Sequence, residues 1–118
     1  MARTSIPVQE VPLHGAALDD ISWTAADATN DHDFANTGRE ILLMKNGDAS
    51  QHTASVISVA DQHGRTGDQD LAPAAGEISA AGPFEPSVWN SELGKAYVDV
   101  GVGEDTSVTF AVLRLLGA

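Results

Sequence analysis

The segment Ser107-Val-Thr-Phe-Ala-Val-Leu-Arg-Leu-Leu116 decides the fold class. Read with period two, Val108, Phe110, Val112 and Leu116 point one way, and Ala111, Leu113 and Leu115 the other. It opens on β-branched and aromatic residues and contains no Gly or Pro, which favours a strand over a helix. The segment Arg39-Glu-Ile-Leu-Leu-Met-Lys-Asn46 has the same character, with Ile41 and Leu43 on one face and Leu42 and Met44 on the other. A sandwich strand needs one apolar face, so two strands apolar on both sides predict a cover from another subunit or a larger assembly.

Working outward, Thr4-Ser-Ile-Pro-Val-Gln-Glu-Val-Pro-Leu13 alternates apolar residues around Pro7 and Pro12. Proline donates no ladder hydrogen bond, so residues 1–13 read as an edge strand or as an arm laid across a neighbour. A short strand is expected over residues 21–25, with a helix over residues 16–28 as the competing assignment. Asn36-Thr-Gly38 marks a turn, and Asn46-Gly47 predicts a hairpin into a strand over residues 52–60. Residues 61–75 read as a long polar loop and residues 76–80 as a short strand. Gly82-Pro-Phe-Glu-Pro86 turns the chain, Val88 and Trp89 form an apolar plug, and residues 90–94 form another turn. Residues 96–100 are the penultimate strand, with Gly101-Val-Gly103 as a hairpin loop into the last. About seven or eight short strands without a convincing helix predict an all-β antiparallel sandwich or jelly roll, with residues 14–118 as one domain.

At 118 residues the chain can bury a core without metals or disulfides, and it contains no cysteine. The start, Met-Ala-Arg-Thr-Ser-Ile-Pro, lacks an apolar leader region, and no run reaches transmembrane length; a soluble protein made in the cytoplasm is expected. The net charge is −11, with only six Lys and Arg residues scattered singly, so direct nucleic-acid binding is disfavoured. The acidic, lysine-poor composition suits a high-salt host or a GC-rich genome.

Signatures of catalysis are missing: there is no Gly-x-Ser-x-Gly elbow, His-Glu-x-x-His or P-loop, so no catalytic residue, cofactor or metal is assigned. Asn30-Asp-His-Asp33 is the most ligand-like cluster. In an extended chain, however, Asp31 and Asp33 share a face while His32 takes the other, so it reads as a solvated turn. His63, Asp68 and Asp70 fail the calcium-loop pattern because Arg65 and Gly67 occupy ligand positions. His14, His32, His52 and His63 lack a nucleophile context. Trp23, Trp89 and Tyr97 would serve a sugar-binding platform, but such aromatics more often plug the ends of a small sandwich.

Several short motifs resemble those of small virion proteins of tailed phages or tailed archaeal viruses, the head decoration or cement proteins. The matching residues are 5–9 (Ser-Ile-Pro-Val-Gln), 27–36, 38–46, 82–84 (Gly-Pro-Phe), 97–99 (Tyr-Val-Asp) and 108–115. Two departures are Asp31, where Gly is usual, and Glu85-Pro86 after Phe84. The resemblance implies a non-enzymatic β-sandwich homotrimer on the virion surface that clamps major capsid protein subunits of the expanded head. It also implies an arm over residues 3–11 reaching a neighbour through Arg3, Ile6, Val8 and Val11. Trp89, with Leu113 and Leu115 on the last strand, would supply further contacts. The alternatives are a carbohydrate- or receptor-binding module, a head-tail or tail structural protein, and a metal-dependent hydrolase built around His32.

Overall fold

A computed structural model describes residues 3–11, 21–59, 67–92 and 94–115. In chain order the first strands are β1 (Thr4–Ser5), β2 (Val8–Val11), β3 (Thr24–Ala25), β4 (His32–Ala35), β5 (Glu40–Asn46) and β6 (Ala54–Val56). They are followed by β7 (Gln69–Leu71), β8 (Ile78–Ala81), a single helical turn α1 (Pro86–Trp89), β9 (Asn90–Glu92), β10 (Lys95–Val100) and β11 (Val108–Leu115). The first sheet runs β1-β4-β10-β6-β7, with β9 also paired to β10; the second runs β2-β11-β5-β8, with β3 also paired to β11. The expected all-β sandwich is therefore observed, with eleven strands among the described residues, some only two residues long.

The two predicted apolar strands are the centre of the second sheet, antiparallel from Val108↔Asn46 to Arg114↔Glu40. Their inward residues Leu42, Met44, Val108, Phe110 and Val112 meet Phe34, Val56, Ala96, Val98 and Val100 of the first sheet. Alternation along each strand aims these residues between the sheets, where burial supplies the main stabilising term.

Topology departs from expectation where the chain changes sheet. Asn46-Gly47 does not close a hairpin: β5 lies in the second sheet and β6 in the first. The cause is the buried Asn46 side chain, which donates to Ser50 O (2.8 Å) and Pro73 O (3.0 Å) and accepts from the Asp48 amide (2.9 Å). Gly101-Val-Gly103 likewise belongs to a crossover, from β10 in the first sheet to β11 in the second. Two ladders are parallel, β1 with β4 and β2 with β11, so the sheets are mixed. Of the strand expected over residues 21–25 only Thr24–Ala25 pairs, and the turn expected at residues 90–94 contains β9. The start of the 61–75 loop, residues 61–66, lies outside the described residues, but its end contains β7.

Both parallel ladders come from the N-terminal segment. Thr4 and Ser5 lie beside His32 and Asp33 in the first sheet, and Val8 to Val11 run beside Val112 to Leu115 in the second. Ile6, between them, is 2% exposed and belongs to the chain's own core. Of the two readings of this segment, the edge-strand reading describes it within one chain. Ile6 is thereby withdrawn from contact with a neighbour, because a core side chain has no surface left to offer.

Candidate docking face

His32 and Asp33 are buried and, with half-buried Asp27 and Asp31, form a bonded frame and not the expected solvated turn. His32 is fully buried; its Nδ1–H donates to Thr4 O (2.9 Å), and its Nε2 accepts from the Asp27 amide (2.9 Å). Those partners fix the neutral tautomer, and burial pushes the imidazole below its ordinary pKa. Asp27 accepts from the Thr4 hydroxyl (2.7 Å) and from the Asn30 and Thr29 amides (3.0 Å each), which hold its pKa down at about 2. Asp33 accepts from the Ser5 hydroxyl at 2.6 Å. Asp31 has φ of 60°, the left-handed region that Gly adopts most readily, and its Oδ1 accepts the Val100 amide at 2.8 Å. A Gly would take this conformation at less cost, and the bond to Val100 offsets that cost for Asp. These side chains are committed to one another and to backbone, and no group among the described residues has the makings of a metal site.

Two further polar clusters went unread in the sequence. Glu40 is fully buried at the end of β5, where Arg114 Nε meets its Oε2 at 2.5 Å. Burial alone would raise this carboxyl, but hydrogen bonds from the Thr37 amide, Arg114, the Thr37 hydroxyl and the Arg39 amide hold it below its ordinary pKa. At another corner His52 bridges two carboxylates, Nε2 to Asp48 at 2.7 Å and Nδ1 to Glu104 at 3.0 Å. Glu104 also accepts the Thr53 amide at 2.9 Å, so the clasp ties together the two loops that cross between the sheets. The Asp48 contact, aided by Glu104, raises His52 above its ordinary pKa. Period two gave a signal for the first cluster, because Glu40 shares parity with Leu42 and Arg114 with Val112. No spacing announces the second, because Glu104 lies 52 residues from His52.

The outer faces differ sharply in chemistry. On the first sheet Arg3 lies over the Tyr97 ring at 3.9 Å and donates to Asp99 at 2.6 Å, while Asp33, Lys95, Ser55 and Asp70 line the same side. On the second sheet the outward parity carries Ile41, Leu43, Ala111 and Leu113, and edge strand β8 adds Ile78 and Ala80. Lys45 is a cation on this face, with its ammonium 5.5 Å from the Trp23 ring centroid.

The expected apolar surplus of the two long strands is partly hidden by the chain itself. Ala111 is fully buried, Leu43 is 8% exposed, and Ile41 and Leu113 are half-buried. Exposure rises toward the edge, where Ile78 reaches 42%. The inference that another molecule must cover β5 and β11 is corrected accordingly: what remains for a partner is a shallower strip running from Leu113 and Ile41 to Ile78.

The other expected contact residues are distributed as follows. Arg3 is engaged with its own Tyr97 and Asp99; Val8 and Val11 are half-buried on β2, and Val8 packs against the core. Trp89 is half-buried and packs edge-on against Phe84 at 5.5 Å, the plugging role anticipated for it. Leu115 pairs with Val11 in the backbone ladder; its side chain lies outside the described residues, as do His14 and His63. Trp23, Tyr97 and Trp89 occupy the outer side of the second sheet, the outer side of the first and one end of the core, so they form no shared platform. No helix among the described residues is long and apolar enough to cross a membrane. No protein-family model, curated protein or solved structure matches the chain.

Proposed function

We propose that this chain is a non-enzymatic virion structural protein, a decoration or cement protein that docks on the expanded icosahedral head and bridges major capsid subunits as a homotrimer. The observation that carries the reading is the asymmetry of the sandwich. One outer face is charged and internally bonded through Arg3, Tyr97, Asp99 and Asp33; the other presents Ile41, Leu113, Ile78 and Ala80 beside Lys45. An apolar strip suits a permanent contact, and a net charge of −11 limits sticking between finished particles. The motif resemblance supplies the virion context. Binding only the expanded lattice stabilises that state by mass action at every occupied site.

The test is co-sedimentation of the purified protein with expanded and unexpanded heads, together with analytical ultracentrifugation. The expected results are a trimer, selective binding to expanded heads, and at least tenfold weaker binding for Leu113→Glu and Ile78→Glu with folding unchanged. A protein that stays monomeric and ignores both kinds of head at micromolar concentration would overturn the proposal.

A further inference from the structure

Sheet edges are open templates for another chain, and proteins usually blunt them with short strands, charges or proline. Most edges here follow that rule. β1 and β3 are two residues long, β7 carries Asp70, β9 carries Glu92, and β2 carries Glu10 between Pro7 and Pro12. β8 is the exception among the described residues: Ile78-Ser-Ala-Ala81 has no charge and no proline, and it ends the second sheet.

The backbone of β8 is oriented for pairing. The Asn46 amide donates to Glu77 O at 2.9 Å, and the register pairs Met44 with Ser79 and Leu42 with Ala81. Hydrogen-bonded pairs alternate along an antiparallel ladder, so Ser79 and Ala81 turn their amides and carbonyls toward β5. Ile78 and Ala80 therefore turn theirs toward the open edge. Both side chains stand exposed on the apolar outer face.

We infer that β8 receives an extended segment of a partner polypeptide as an added strand, through the backbone of Ile78 and Ala80, with an apolar residue beside Ile78 and basic residues flanking it. Charge selects this occupant over a second copy. The chain carries −11, Glu77 stands exposed at the start of β8, and Lys45 beside Ile78 is already turned to Trp23. Another copy paired through its own β8 would bring a second Glu77 to this short edge. Four residues of ladder also fall well short of the ~800 Å² per partner of a standard two-copy interface, whereas a strand donor can bind through backbone bonds and one or two side-chain seats. The inference deepens the docking role proposed above, and its test needs no virion heads.

The probe is a fluorescent peptide, Lys-Lys-Val-Thr-Val-Thr-Val-Lys-Lys, compared with the same core flanked by glutamates. Binding is followed by anisotropy, and amide exchange at Ile78 and Ala80 by NMR. The basic peptide is expected to bind and to protect both amides, with the glutamate version at least tenfold weaker. Ala80→Pro removes an amide that β5 does not use, and Ile78→Lys adds an edge charge; each should weaken binding at least tenfold. Because the two variants perturb the fold differently, a failure of one to fold leaves the other decisive. Absence of peptide binding, binding without protection at these amides, equal binding of the acidic peptide, or indifference to both substitutions would each overturn the inference. Concentration-dependent protection of the same amides without peptide would assign the edge to a second copy and overturn it too. Failure of head binding with the peptide result intact would refute the virion role and leave the strand acceptor standing.

Discussion

Arg114 and Glu40 sit directly opposite each other on the central ladder of the second sheet, joined by a 2.5 Å bond on its core-facing side. Glu40 is fully buried, whereas the Arg114 side chain keeps 24% of its exposure. The two deletions are therefore unequal. Arg114→Met strands an ionised carboxylate in the core and should cost about 3–5 kcal/mol, while Glu40→Gln leaves a neutral group with donors nearby and should cost about 1–2 kcal/mol. Urea unfolding of both variants checks the order; equal losses would mean that the buried carboxylate is not the vulnerable partner.

His32 and His52 should titrate on opposite sides of their common unperturbed value of 6.5. His32 is held neutral, so its contribution is present above 6.5 and is lost as pH falls below it. His52 is held protonated between Asp48 and Glu104, so its contribution is present below 6.5 and is lost as pH rises through its elevated folded value. Asp48 and Glu104 are held below their ordinary values, so their share is lost only as pH falls through those lowered values. NMR titration of the ring protons should show the two displacements, and His52→Gln should lose the wild-type decline in stability above pH 6.5. Two imidazoles titrating together near 6.5 would contradict both environments.

Ile6→Ala should lower the stability of the isolated protein by about 2–4 kcal/mol, the ordinary loss for a buried aliphatic side chain. The effect should be the same in dilute and concentrated samples, because Ile6 fills the chain's own core. A loss that appears only when the protein is assembled would instead place this segment on a neighbour.

Gly82 has φ of +124°, and a Cβ there would lie 2.7 Å from Glu40 O. Gly82→Ala should therefore cost about 2–3 kcal/mol, combining backbone strain with a clash that backbone cannot relieve cheaply. Gly76→Ala is the control, since its φ is also positive but nothing lies within 4 Å of the added carbon. Thermal melts of the pair separate the clash from the strain, and matching losses would deny any role for Glu40 O.

The sequence by itself determined the all-β class, the two long strands over residues 39–46 and 107–116, and the residues that share each of their faces. Period-two alternation is a local property, and the solvent reads it the same way in any sheet. What it could not determine was sheet membership. Asn46-Gly47 has hairpin chemistry, but the inward Asn46 amide finds Ser50 O and Pro73 O and the chain crosses to the other sheet. β4 escaped notice because His32 and Asp33 read as solvent-facing until Thr4 and Ser5 arrive from 28 residues away to satisfy them. The docking strip followed the same division. Period two exposed the second apolar face of β5 and β11, but only the assembled chain decided that Ala111 and Leu43 are covered and Ile78 is not. Burial is set by what the rest of the chain lays over a residue, and no local pattern contains that.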